Sequence, residues 1–352
     1  MAQPDSFLSG VVEGFYGRQW SWPIRQAYAG YLQSLGLNCY LYCPKGDPYL
    51  RKRWQDPWPA DTLNALHQLG RTYTERNLYW GVGLSPFALY QNYGQPQREQ
   101  LRRKLEEIES LDAPLLAILF DDMPGDMDGL AQRQAEIVSD VQHWMPGYRL
   151  LVCPTYYSYD PALEKHFGVM PAHYREELGR ALAAEVDVFW TGNKVCSDAI
   201  SLEDIQPVNT AFGRPVTLWD NYPVNDGAVR SNHLYLDALE HRGTELRGFL
   251  RGHLCNPMNQ GLLSLPAMLG LARLHGNSSV DESWLAASMG EDVWECLQRD
   301  SADFHLQGLS GLGRQRCEVL ADDYSGFTGD AAGEVAAWLR GEYTFDPACL
   351  TD

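Results

Sequence analysis

A short apolar run followed by an amphipathic stretch recurs down this chain, and that recurrence limits the fold more than any single motif does. Ser9–Tyr16 reads as a strand and Pro23–Leu35 as a helix ended by Gly36. Asn38–Cys43 is the next strand, and Asp61–Arg76 its helix, with Asp61 as the expected cap. Leu78–Leu84, Leu115–Phe120, Arg149–Cys153, Val186–Trp190 and Pro215–Trp219 continue the strands. Arg98–Leu111, Leu130–Trp144, Tyr174–Ala184 and Leu202–Ala211 continue the helices. A seventh helix is expected around Leu234–Leu239, an eighth strand over Leu246–Gly252 and a last helix over Leu265–Leu274. Eight such units in about 275 residues predict an α/β fold of the (β/α)₈ barrel type rather than a doubly wound sheet.

Past Gly276-Asn277-Ser278-Ser279 the pattern changes. Asp281–Leu297 and Ala331–Leu339 read as helices separated by glycine-rich breaks. The expected organisation is a catalytic barrel over 7–275 and a small helical appendage over 276–352.

Net charge is −18, from 46 acids against 28 bases. Such a field repels nucleic acid, anionic membrane and polyanionic polysaccharide, and leaves neutral sugars and neutral or basic peptides as partners. No apolar run approaches the ~20 residues that span a bilayer. The first residues lack the basic and apolar regions of an export signal, so a cytoplasmic protein is expected. None of the eight cysteines forms a C-x-x-C pair, so no zinc site is signalled; buried reduced thiols are the expectation, with no metal or cofactor.

In a barrel the catalytic groups stand at the C-terminal ends of the strands. The segments there are Glu13-Gly14-Phe15-Tyr16-Gly17, Pro44-Lys45-Gly46-Asp47, Ser85-Pro86, Asp121-Asp122, Pro154-Thr155-Tyr156-Tyr157, Trp190-Thr191-Gly192, Trp219-Asp220-Asn221-Tyr222 and Asn256-Pro257-Met258. Aromatics that stack on pyranose faces, with Asp, Asn and Lys for hydroxyls, make a sugar site. The Asp121-Asp122 pair is its chemical centre. Two carboxylates sharing a partly dry site do not both ionise cheaply, which favours a general acid beside a carboxylate.

Blander readings compete at each position. A lone Asp there would more simply cap a helix. Asp121, Asp122, Asp126 and Asp128 could instead hold a metal, although the spacing after Asp126 does not fit a calcium loop. Lys45 alone reads equally as a solvated loop lysine, and Trp190 or Trp219 alone as rim packing. Asn221, Asp226 and Asn256 would pass as turn residues.

The segments Gly10-Val-Val-Glu-Gly-Phe-Tyr-Gly17, Asn38-Cys-Tyr-Leu-Tyr-Cys-Pro-Lys45, Phe120-Asp-Asp122, Cys153-Pro-Thr-Tyr-Tyr157, Trp190-Thr-Gly192, Trp219-Asp-Asn-Tyr-Pro-Val-Asn-Asp226 and Asn256-Pro-Met258 occur in one order over nearly the whole barrel. Together they resemble glycoside hydrolase family 84, the O-GlcNAcase and β-N-acetylglucosaminidase family. The resemblance implies a retaining exo-enzyme that removes terminal β-linked N-acetylglucosamine, O-linked to protein Ser/Thr among its substrates. It implies substrate-assisted catalysis, in which the sugar's own acetamido oxygen forms an oxazoline. Asp121 would orient the acetamido N–H, and Asp122 would act as acid and then base. Tyr157 would bind the acetamido oxygen, Trp219 would line the acetyl pocket and Asn221 would stand beside the acetamido group. Gly14, Lys45, Asp226 and Asn256 would bind ring hydroxyls. The family also leaves a homodimer open.

Two positions depart from the family pattern. Gly46 replaces an Asp of Pro-Lys-Asp-Asp, and Tyr156 replaces the Glu of Pro-Thr-Glu-Tyr. Both are expected at the rim, with effects on aglycone preference. A carbohydrate-binding barrel without catalysis, and a metal-dependent hydrolase built on the four aspartates, are the competing functions.

Overall fold

The computed structural model describes residues 7–277 and 279–351; Ser278 of the expected break, and the N-terminal residues ahead of Phe7, lie outside them. The first half alternates β1 (Leu8–Glu13), α1 (Trp22–Leu35), β2 (Cys39–Tyr42), α2 (Ala60–Thr74), β3 (Tyr79–Leu84), α3 (Gln95–Glu109), β4 (Leu115–Leu119) and α4 (Leu130–Trp144). Next come β5 (Arg149–Cys153), α5 (Pro161–Phe167), α6 (Tyr174–Ala181), β6 (Asp187–Trp190) and α7 (Leu202–Phe212). The barrel ends with β7 (Thr217–Asp220), β8 (Gly252–Cys255) and α8 (Leu265–Leu274).

All eight strands are parallel and close in sequence order, β8 pairing back onto β1 with Gly10 opposite Leu254. Helices cover the outside and side chains fill the inside, so β1, β2 and β4 to β8 are buried at every position. Closure needs Gly10: a Cβ there would stand 1.9 Å from the Cys39 carbonyl oxygen. Helix ends follow local chemistry. The Ser21 hydroxyl accepts from Ile24 N ahead of α1, and Gly36 ends that helix at φ 69°.

The structure corrects the sequence reading of the barrel at three places. Asp61 is not a cap; α2 starts at Ala60 after Pro59, and Asp61 lies in the first turn, where a carboxylate still favours the helix dipole. No helix forms around Leu234–Leu239. Those leucines are buried by an irregular connection whose regular pieces are short 3₁₀ turns at Arg230–Asn232 and Thr244–Phe249. The eighth strand therefore begins at Gly252, beyond most of the apolar run expected to form it. Its sequence, Gly-His-Leu-Cys, hides a strand because His253 is polar; His253 is completely buried, 3.0 Å from Asp220 on β7.

Beyond the barrel, the expected 281–297 helix is divided at Gly290 (φ 97°) into α9 (Ser283–Met289) and α10 (Glu291–Leu306). A further element, α11 (Gly308–Ser325), is kinked at Gly313, where φ is 73°, and its glycines concealed it. α12 (Asp330–Leu339) matches its expectation and docks on the barrel. The Glu334 carboxylate accepts from Leu262 N at 2.9 Å and Leu263 N at 3.2 Å, and Trp338 Nε1 donates to the Ser231 carbonyl. Among the described residues no helix is long and apolar enough to cross a membrane.

Candidate active site

Gly14, Lys45, Asp121, Asp122, Tyr157, Trp219, Asn221, Asp226 and Asn256, from six separate stretches of chain, line one pocket at the C-terminal mouth of the barrel. Strand alternation explains the selection. On β7 and just beyond it, Trp219 and Asn221 face the pocket, while Asp220 between them is buried against Arg242 and His253. Glu13 likewise avoids the pocket and takes a bidentate bond from Arg25 of α1.

Asp121 is 5% exposed. One of its oxygens takes a charge-assisted bond from Lys45 Nζ. The other, Oδ1, is buried with no hydrogen-bond partner among the described residues. Lys45 is thus a buried ion-pair lysine, 5.9 Å from the centre of the Trp219 ring, rather than a solvated one.

Asp122 is half-buried and sits in the left-handed region at φ 55°. Its two oxygens accept from Tyr16 OH at 2.7 Å and Tyr157 OH at 2.9 Å. Arg51, itself buried, donates to the Asp122 carbonyl at 2.9 Å and to Ser85 Oγ at 2.6 Å, and so fixes the strained turn from behind. Tyr16 and Arg51 carry no role in the sequence reading. Tyr16 lay within a quoted segment, whereas nothing local marks Arg51.

The opposite wall is a chain of amides. Trp219 Nε1 and Asn256 Nδ2 both donate to Asn221 Oδ1, at 3.0 and 2.9 Å. Asn221 Nδ2 donates to the Val195 carbonyl, and Asn256 Oδ1 accepts from Gly14 N at 3.1 Å. Gly14 is obligatory, because a Cβ would lie 2.1 Å from the Trp219 ring. Asp226 Oδ2 accepts from Tyr16 N at 2.6 Å. Burial pushes the Asp226 carboxyl up to about 6, the backbone donor at Tyr16 opposing the rise.

Other expectations change. Tyr156 is not at the rim: it is 1% exposed, donates to the Gly168 carbonyl at 2.7 Å and packs edge-on against Tyr174. Gly46 lies by the mouth, next to the Gln19 side chain. Trp190 is wholly buried in the barrel wall. Asp126 and Asp128 do not converge with the aspartate pair: among the described residues no three His, Cys, Asp or Glu side chains are grouped to hold a metal.

A closed parallel barrel with a carboxylate pair and amide-bearing walls at its C-terminal mouth places the chain in the (β/α)₈ class. The particular family follows from comparison. The sequence model described as beta-N-acetylglucosaminidase matches residues 9–304, and the chain belongs to that family. The chain is 31% identical over 261 residues to the Protein O-GlcNAcase of Rattus norvegicus and to that of Mus musculus. Those alignments cover 71% of this chain, which spans 28% of the length of each relative. A solved mutant of Thermobaculum terrenum O-GlcNAc hydrolase superposes with a TM-score of 0.77 at 27% identity, covering 96% of this chain and 82% of that one.

Proposed function

We propose that this chain is a retaining exo-β-N-acetylglucosaminidase that acts on N-acetylglucosamine attached to protein Ser or Thr. The observation that carries the reading is Asp121. A buried carboxylate oxygen without a donor costs roughly 1–3 kcal/mol or more. Asp121, which carries this oxygen, lines the pocket together with Trp219 and Asn221. A substrate amide N–H supplies the missing donor. Lys45, ion-paired with the other oxygen, fixes Asp121 so that it aligns the acetamido group and stabilises positive charge developing on its nitrogen.

In the first step the acetamido oxygen bonds to the anomeric carbon as the glycosidic bond breaks. The bond's electron pair goes to the leaving oxygen, which takes a proton from Asp122. In the second step water bonds to the anomeric carbon, its proton passes to the Asp122 carboxylate, and the oxazoline opens with net retention. Both Asp122 oxygens accept from tyrosine hydroxyls, and proton donation needs one of them free. The acid form releases one tyrosine, and Tyr157 then turns to the acetamido oxygen. Trp219 lines the acetyl group, Asn221 lies beside it, and Gly14, Lys45, Asp226 and Asn256 take ring hydroxyls.

The aglycone consistent with a charge of −18 is a neutral or basic polypeptide, with no nucleic-acid or membrane partner. The barrel over 7–275 carries the chemistry and the appendage over 276–352 closes one side of the mouth. Hydrolysis of an aryl N-acetyl-β-glucosaminide, against the aryl β-glucoside lacking the acetamido group, tests the function. Turnover of the first alone is expected; equal turnover of both contradicts it.

A further inference from the structure

Two residues of the pocket wall come from far along the chain: Cys349 and Thr351. After α12 the polypeptide returns to the barrel mouth. Arg18 lies 4.7 Å from the centre of the Tyr343 ring. Asp346 then makes a turn, accepting from Ala348 N on its side chain and from Cys349 N on its carbonyl, each at 2.9 Å. The turn sends the next residues inward. Cys349 Sγ stands 3.8 Å from Asp226 Oδ1, and Thr351 Oγ1 stands 3.4 Å from Tyr157 OH.

The side chains that enter are the polar ones. Thr351 is 9% exposed, whereas Leu350 beside it is 48% exposed and Phe345 44%. A segment docked to bury apolar area would bury its leucine and phenylalanine. This one leaves them in solvent and sends a thiol and a hydroxyl to Asp226 and Tyr157, two groups read above as sugar ligands. The segment thus stands on the same pocket wall as the groups a hexosamine ring would meet.

We propose that the sugar pocket is also a peptide site, that its occupant here is the chain's own segment 346–351, and that segment and sugar exclude one another. The inference rests on the pocket being the sugar site. The ligand class is a short peptide presenting a small hydroxyl side chain, the same chemistry as the polypeptide end of a glycosylated Thr. The Thr351 contact with Tyr157 is long for a hydrogen bond and the Cys349 thiol is a weak donor, so sugar displaces the segment. Its consequence is kinetic: apparent sugar affinity is lowered by the fraction f of chains whose pocket is open.

Alkylation of Cys349 by iodoacetamide in the 352-residue chain, read on the Cys349 peptide by mass spectrometry with and without N-acetylglucosamine, tests this. Sugar lining the pocket beside a fixed segment shields the thiol; sugar that expels the segment exposes it. The expected result is faster alkylation at saturating sugar, approaching 1/f and so several-fold where f is below about a third. Binding of N-acetylglucosamine is followed in the same samples by saturation-transfer NMR. Sugar that binds while alkylation slows or stays constant overturns the exclusion. Sugar that does not bind at all overturns the sugar-site reading on which it rests.

Discussion

Asp220 and Asp226 are both buried and only six residues apart, yet they are held in opposite ways. Asp220 faces away from the pocket, where Arg242 donates to both its oxygens at 2.8 Å and His253 stands 3.0 Å away. Burial pushes its carboxyl up, but Arg242 and His253 outweigh that and hold it well below the usual carboxylate range. Asp226 faces the pocket, where its Oδ2 accepts from Tyr16 N, and burial wins. Glu13 with Arg25, and Asp187 with Arg149 and Arg251, repeat the compensated arrangement away from the pocket. These three carboxylates hold the fold with cations as partners, whereas Asp226, and one oxygen of Asp121, keep acceptor capacity at the mouth, which is what ligand recognition requires.

Removing one partner of a compensated group should have the largest effect. Asp220→Ala leaves Arg242 and His253 facing each other in the interior and should cost about 3–5 kcal/mol, read as a fall in the denaturation midpoint. A loss under about 1 kcal/mol would remove the contrast. Asp121→Asn should invert the emphasis: kcat falls about 10²–10³-fold, while the stability loss stays smaller than that of Asp220→Ala because an amide oxygen still accepts from Lys45. An Asp226→Asn chain should mainly raise KM, by about ten-fold for one charge-assisted bond to a hydroxyl; a kcat defect with KM unchanged would move Asp226 from binding to chemistry.

The smallest effect is in the pH dependence of stability, and its sign differs between the two aspartates. Asp226 has a folded value near 6, above the 3.8 of an unperturbed Asp. The folded chain therefore keeps a proton that the unfolded chain releases, and this contribution falls as pH rises from about 4 to 6. Asp220 is depressed, so its contribution is present above the unfolded value and is lost as pH falls below about 4. Asp226→Asn should flatten the first slope and leave the second. Chemical denaturation at half-unit steps of pH reads both.

Most of the barrel was legible because its strands are buried on both faces and read as short apolar runs bounded by Gly, Pro or Asp. β8 escaped because the identity of its partner, Asp220 of the neighbouring strand, is what makes His253 acceptable inside. The leucines at 234, 236 and 239 suggested a helix but are buried by an irregular connection, and periodicity cannot distinguish the two over six residues. At the site, residues directly following strands were legible because the barrel register alone brings them together. Arg51 was not, since its task of holding the Asp122 carbonyl exists only once the β2–α2 and β4–α4 connections meet. Tyr156 was misplaced for a related reason: strand alternation sends it toward Gly168 and Tyr174 while Tyr157 enters the pocket. Thr351 lies 194 residues from the tyrosine it meets, beyond any local pattern.

The division of labour between the adjacent aspartates is the centre of this account, and the leaving-group dependence of Asp122→Ala tests it most directly. Across aryl N-acetyl-β-glucosaminides of rising phenol pKa, the variant should lose little on the most activated substrate and about 10²–10⁴-fold on the least activated, because only the latter needs the proton. A variant that keeps wild-type rates on the poorest leaving group, or that loses the same factor across the whole series, would contradict the assignment of Asp122 as the proton carrier.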